Sequence, residues 1–131
     1  MHQGKTIRRE LEALFQEENI VKPLVLSVVE SENRVEMVLQ VPESIRYFKG
    51  HFPDHPILPG VAQVDWAAEY SKQYFQPSAP FRRLEVVKFH EFILPQAKVS
   101  LVLSYRPEQQ KVTFTFTGED CKHSSGRIIF E

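Results

Sequence analysis

The stretch from Tyr47 to Trp66, YFKGHFPDHPILPGVAQVDW, is where the chain changes character. Its first fourteen residues hold three prolines (Pro53, Pro56, Pro59) and two glycines (Gly50, Gly60), which restrict the backbone of this loop tightly. Such rigidity is wasted on a connector and makes sense where polar groups must be held still. The polar groups on offer are His51, Asp54, His55 and Asp65. From Val61 to Gln76 there is then no Pro or Gly, and at ~1.5 Å rise per residue this segment makes a helix of roughly 24 Å. Pro77 and Pro80 stop it.

Towards the N-terminus the pattern changes period twice. Ile7, Leu11, Leu14 and Phe15 fall at helical spacing between charges, which predicts a short amphipathic helix over Thr6–Glu18, ended by Pro23. Leu24, Leu26 and Val28 alternate with their neighbours as a strand does. After a turn around Ser31–Asn33, Val35, Met37, Leu39 and Val41 do the same.

Towards the C-terminus everything reads as strand. Leu84 to Ile93 is β-branched and aromatic, Val99 to Tyr105 and Val112 to Phe116 alternate, and Gly126 to Glu131 closes the chain. The order is helix, two strands, one long helix, four strands. This is an α+β pattern, and the antiparallel sheet is the only large partner on which the long helix can bury a stripe. A six-stranded sheet curved around that helix satisfies both.

A chain of 131 residues is about one domain at the usual ~100–200 residues each, so a single domain over residues 1–131 is expected. With 42% hydrophobic residues it can build a real core. Sixteen basic residues against seventeen acidic ones give no basic excess of the sort nucleic-acid binding requires. No apolar run approaches the ~18–20 residues that span a bilayer, and Met1–Glu12 lacks the apolar stretch of a signal peptide. The single cysteine, Cys121, cannot form an internal disulfide. A cytoplasmic setting with no membrane and no nucleic-acid partner is the expectation.

The pattern G-H-F-P-x-x-P-x-x-P-G-V, with an acidic residue on the following helix, resembles the signature of the 3-hydroxyacyl-[acyl-carrier-protein] dehydratases, enzymes with the hot-dog fold. Gly50, His51, Phe52, Pro53, Pro56, Pro59 and Gly60 match it, and His51 precedes Asp65 by fourteen residues, as in the family's catalytic pair. Val87-Lys88-Phe89 and Leu94-Pro95 are similar to the family's strand after the central helix. Asp65, and Leu94-Pro95-Gln96-Ala97 downstream, are closest to the dehydratases that carry Asp rather than Glu. The size and pattern also resemble the small dehydratases of aryl polyene and related polyketide clusters. The resemblance implies dehydration of 3-hydroxyacyl-[acyl-carrier-protein] thioesters to trans-2-enoyl thioesters, in fatty acid or polyketide synthesis.

The residue types suit that reaction. Removing the C2 proton needs a base near neutrality, which histidine supplies. The departing hydroxide needs a proton donor, and a carboxyl in an apolar site keeps its proton towards neutral pH. The developing oxyanion needs a backbone donor, which the start of a helix provides. By resemblance His51 is the base, Asp65 the acid, and Gly60 with Val61 the oxyanion site, where glycine leaves room for substrate. In the family His and acid of one site come from different subunits. That implies a homodimer, or a heterodimer with a related subunit.

Other readings stand beside this one. Taken alone, His51 reads as a structural histidine capping a turn, and Asp65 as a charge on a solvated helix edge beside Val61, Ala68, Glu69 and Lys72. A metal site at His51, His55, Asp54 and Asp65 lacks helical i,i+4 ligand geometry, because Pro53 and Pro56 bracket the pair. No metal and no cofactor is expected. Cys121 reads as part of a turn between the last strands, and Phe114 and Phe116 as core. Arg82, Arg83 and Lys49 are either solvated surface or a docking patch for an acidic carrier protein. A hot-dog thioesterase, or an inert acyl-binding subunit of a heterodimer, are the alternative functions; the G-H-F-P loop and the presence of both His51 and Asp65 argue against them.

Overall fold

The structure, a computed structural model, describes residues 22–42, 58 and 60–131. The expected helix over Thr6–Glu18 and the loop residues His51, Asp54, His55 and Lys49 lie outside the described residues. The described chain runs β1 (Leu24–Ser31), β2 (Arg34–Gln40), α1 (Gly60–Phe75), β3 (Phe81–Phe89), β4 (Lys98–Arg106), β5 (Lys111–Thr117) and β6 (Lys122–Phe130). The strands form one antiparallel sheet in the order β1-β2-β4-β5-β6-β3. One six-stranded sheet and one long helix is the hot-dog arrangement expected from the sequence.

Period-2 alternation sorts the middle strands into two faces. Val35, Met37 and Leu39 of β2, Val99, Leu101 and Leu103 of β4, Val112, Phe114 and Phe116 of β5, and Ile128 and Phe130 of β6 are all buried. They form one cluster with Ala62, Trp66 and Ala67 of the helix, so the buried sheet face is the one that receives α1. The small side chains Ala62, Ala67 and Ser71 let the helix backbone come close. Phe114 and Phe116 are core, as expected, with ring centroids 6.1 Å apart in an edge-on pair.

Two strands differ from the sequence reading. The run expected over Leu84–Ile93 pairs with β6 over Phe81–Phe89 and then leaves the ladder; Ile93 instead makes an isolated bridge to Leu58. The Leu58 N–H donates to the Ile93 carbonyl at 2.8 Å, which ties the chain just before α1 to the chain just after β3. The last strand begins at Lys122, four residues before Gly126, because Ser124 and Ser125 continue the pairing with both neighbours and Lys122 pairs with Thr117. β3 and β1 are the sheet's edges. On β3, Phe81, Leu84, Val86 and Phe89 are exposed, and Val86 adopts a φ of 47° where the register with β6 slips between Glu85 and Lys88.

Candidate active site

Of the four residues singled out in the sequence, Gly60, Val61 and Asp65 open the long helix, while His51 lies outside the described residues. Helix geometry separates their faces. At ~100° per residue, Asp65 stands roughly 140° around the axis from Gly60 and roughly 160° from Gln63. Val61, one turn before Asp65, is 62% exposed, and Glu69 and Lys72 continue the same open face. Gln63, Ala67 and Ser71 occupy the buried side.

Asp65 is half-buried, and its carboxyl is held above the ordinary value near 3.8. The chief cause is desolvation, which penalises the charged form; the carboxylate of Glu69 adds to it and Lys72 opposes it. Lys72 is drawn aside by Glu69, with Nζ to Oε2 at 3.3 Å. A carboxyl raised in this way keeps its proton more readily than a free aspartate and can give it up to a leaving oxygen.

Gly60 faces a different space. A cavity of about 330 Å³ opens beside the helix start, lined by Leu58, Gly60, Gln63, Phe89, His90, Glu91 and Phe92. Its walls are mainly apolar, which suits an acyl chain. A β-carbon on Gly60 would lie 2.7 Å from the ring of Phe89, so any larger residue here would force that half-exposed ring to shift. Asp65 and Val61 do not line this cavity.

One polar pair at this site was not read from the sequence. Gln63 sits on the buried helix face, 3% exposed, and its Oε1 accepts a hydrogen bond from Ser124 Oγ at 2.7 Å. A glutamine among Ala62, Trp66 and Ala67 is an exception to the apolar stripe, and that exception was the available signal.

The remaining sequence candidates fall into place by geometry. Cys121 is exposed in the turn between β5 and β6, where the Gly118 N–H donates to the Cys121 carbonyl at 2.8 Å. Its Sγ lies 3.7 Å from His123 Nε2, and His123 Nδ1 donates to the Glu91 carbonyl at 3.0 Å. Arg83 contacts Glu85 at 3.1 Å and Glu131 at 3.2 Å, and Arg82 contacts Glu131 at 3.7 Å, all on the surface. Among the described residues no three His, Cys, Asp or Glu side chains gather as metal ligands, and no helix is long and apolar enough to cross a membrane.

A six-stranded sheet carrying one long helix among the described residues, with a half-buried acid on that helix and an apolar cavity at its start, defines a hot-dog dehydratase, a carbon–oxygen lyase. The chain belongs to the ApeI-like dehydratase family, whose model matches residues 27–127. It is similar to the 3-hydroxyacyl-[acyl-carrier-protein] dehydratase FabZ of Clostridium perfringens, 33% identical over 110 residues that cover 76% of this chain and 79% of that one. Among solved structures it is similar to ApeI:P, a dehydratase heterocomplex from Xenorhabdus doucetiae (TM-score 0.78, 28% identity, 82% of this chain and 96% of that one). A protein from Erwinia carotovora subsp. atroseptica gives a TM-score of 0.75 at 33% identity, covering 84% of this chain and 96% of that one.

Proposed function

We propose that the protein removes water from 3-hydroxyacyl thioesters carried on acyl carrier protein, giving trans-2-enoyl thioesters for fatty acid or aryl polyene-like polyketide synthesis. The single observation that carries this reading is Asp65: a helix carboxyl that burial inclines to keep its proton, fourteen residues after a histidine in a G-H-F-P loop. His51 takes the C2 proton. The electron pair moves to the thioester oxygen, which the N–H groups of Gly60 and Val61 hold. As the enolate collapses to the C2–C3 double bond, the C3–O bond breaks and Asp65 protonates the departing hydroxyl, which leaves as water.

The two faces of α1 support a site shared between copies. Gly60 opens on the cavity while Asp65 stands on the other side of the same helix, outside that cavity. A second copy of the chain brings its own Asp65 to the cavity of the first. The exposed edge of β3, with Phe81, Leu84, Val86 and Phe89, supplies unpaired backbone and apolar area for such pairing. The likeness to a subunit of the ApeI:P heterocomplex supports a related subunit as partner in place of a second copy. The setting is cytoplasmic, where such carriers work.

The test is direct. Purified protein is mixed with 3-hydroxyacyl-carrier substrates of several chain lengths, and products are weighed by mass spectrometry. Loss of water with the thioester intact is the expected result. Hydrolysis to free acid would favour the thioesterase alternative, and no change without an added related subunit would favour the inert one.

A further inference from the structure

The buried Gln63 carboxamide is only half accounted for. Burying an amide without hydrogen bonds is costly, so each end of it should find a partner. Its Oε1 is satisfied by Ser124 Oγ at 2.7 Å. Its Nε2 donates to no acceptor among the described residues, yet no described side-chain nitrogen or oxygen is both sealed from solvent and unpartnered. The Nε2 therefore reaches open space, and the open space that Gln63 lines is the cavity beside Gly60.

The position along the helix narrows what that donor serves. Gly60 and Gln63 are three residues apart and lie on one side of α1, and helical side chains lean towards the N-terminus. The Gln63 amide thus leans towards the same end of the cavity as the unsatisfied N–H groups that begin the helix. Ser124 belongs to β6, which is paired on both sides, by β5 and by β3, so it anchors the amide to a strand held in the sheet. Leu58, Phe89 and Phe92 supply an apolar wall around this polar corner.

We propose that Gln63 is a further substrate-binding residue, whose Nε2, oriented by Ser124, donates a hydrogen bond to the thioester oxygen of the bound acyl group alongside Gly60. The assignment rests on the dehydratase reading. It makes Gln63 a second oxyanion donor and Ser124 its positioning residue.

The test replaces both partners together, because Gln63→Met with Ser124→Ala leaves no orphaned polar group in the core. Loss of one oxyanion donor typically lowers kcat ~10²–10³-fold, and a contact made chiefly in the transition state leaves KM nearly unchanged. The expected result is a kcat about 10²-fold lower with KM within about two-fold of wild type and a preserved unfolding midpoint. Ser124→Ala alone keeps the donor but frees it, and should lower kcat about ten-fold. A kcat within about two-fold of wild type in the folded double variant overturns the proposal; if that variant does not fold, the same result in Ser124→Ala does so. Absence of water loss in wild type itself would overturn the dehydratase reading and this assignment with it, which separates the two failures.

Discussion

The ring of Phe89, at the end of β3, lies against the α-carbon of Gly60, at the start of α1, so closely that a β-carbon there would sit 2.7 Å from both Cε1 and Cζ. Real side chains almost never approach so near. The contact locks the helix start to the strand that leads into the Leu58–Ile93 bridge, and together they frame the cavity. In the sequence, Gly60 reads as room for substrate. In the fold, Gly60 also leaves room for an aromatic ring of the same chain, whose packing shapes the cavity.

Gly60→Ala should therefore push the Phe89 ring outward. Overpacking of this kind typically costs ~1–3 kcal/mol, read as a lower denaturant midpoint, and half-exposed Phe89 places it at the lower end. The double variant Gly60→Ala with Phe89→Leu should recover most of the loss. Two additive losses would mean that the two residues do not meet.

Asp65→Asn should remove most dehydration, on the order of 10²–10⁴-fold for a lost general acid. Its effect on stability has a definite sign. Folding raises this carboxyl above its ordinary value near 3.8, so the native chain keeps a proton that the unfolded chain has already lost. Wild-type stability contributed by this group is full below that ordinary value and falls as pH rises through the raised native one. Asn does not titrate, so the variant's midpoint, measured against wild type, should improve as pH rises above the ordinary value near 3.8. A relative midpoint that worsens over this range would contradict a raised carboxyl.

Reversing Arg82 and Arg83 to Glu should weaken turnover of carrier-linked substrate more than that of a short thioester analogue, with the gap closing as salt is added. Both arginines already share surface ion pairs with Glu131, and Arg83 also with Glu85. Exposed pairs are worth under ~1 kcal/mol, so the fold should survive the change. Equal losses on both substrates would place the damage at the site and not at a docking surface.

Much of this molecule is legible in its sequence, for local reasons. The prolines that bound the long helix, and the strict alternation in β2, β4 and β5, are rules that neighbouring residues obey among themselves. What stays hidden is non-local. The Ser-Ser-Gly stretch of β6 has no strand signature, yet Gly126 is needed because a β-carbon would meet Phe114 at 2.8 Å and Val87 at 3.0 Å. β1 alternates well but stays largely exposed, since it is an edge strand whose register slips between Val25 and Ser27. Asp65 could be picked out by its spacing from His51. Gln63 shows only as a polar break in the apolar stripe, and its pairing with Ser124, 61 residues away, is not legible.

On the proposed reading, His51 and Asp65 of one site come from two different chains, and complementation between variants reveals such sharing. His51→Ala and Asp65→Asn chains are each inactive alone; unfolded together and refolded as a mixture, they form hybrid dimers in which one site has both groups intact. Random pairing makes about half of the dimers hybrids with one working site of two, so water loss should return to roughly a quarter of the wild-type rate. A mixture that folds and pairs yet stays as inactive as its components would contradict the shared site.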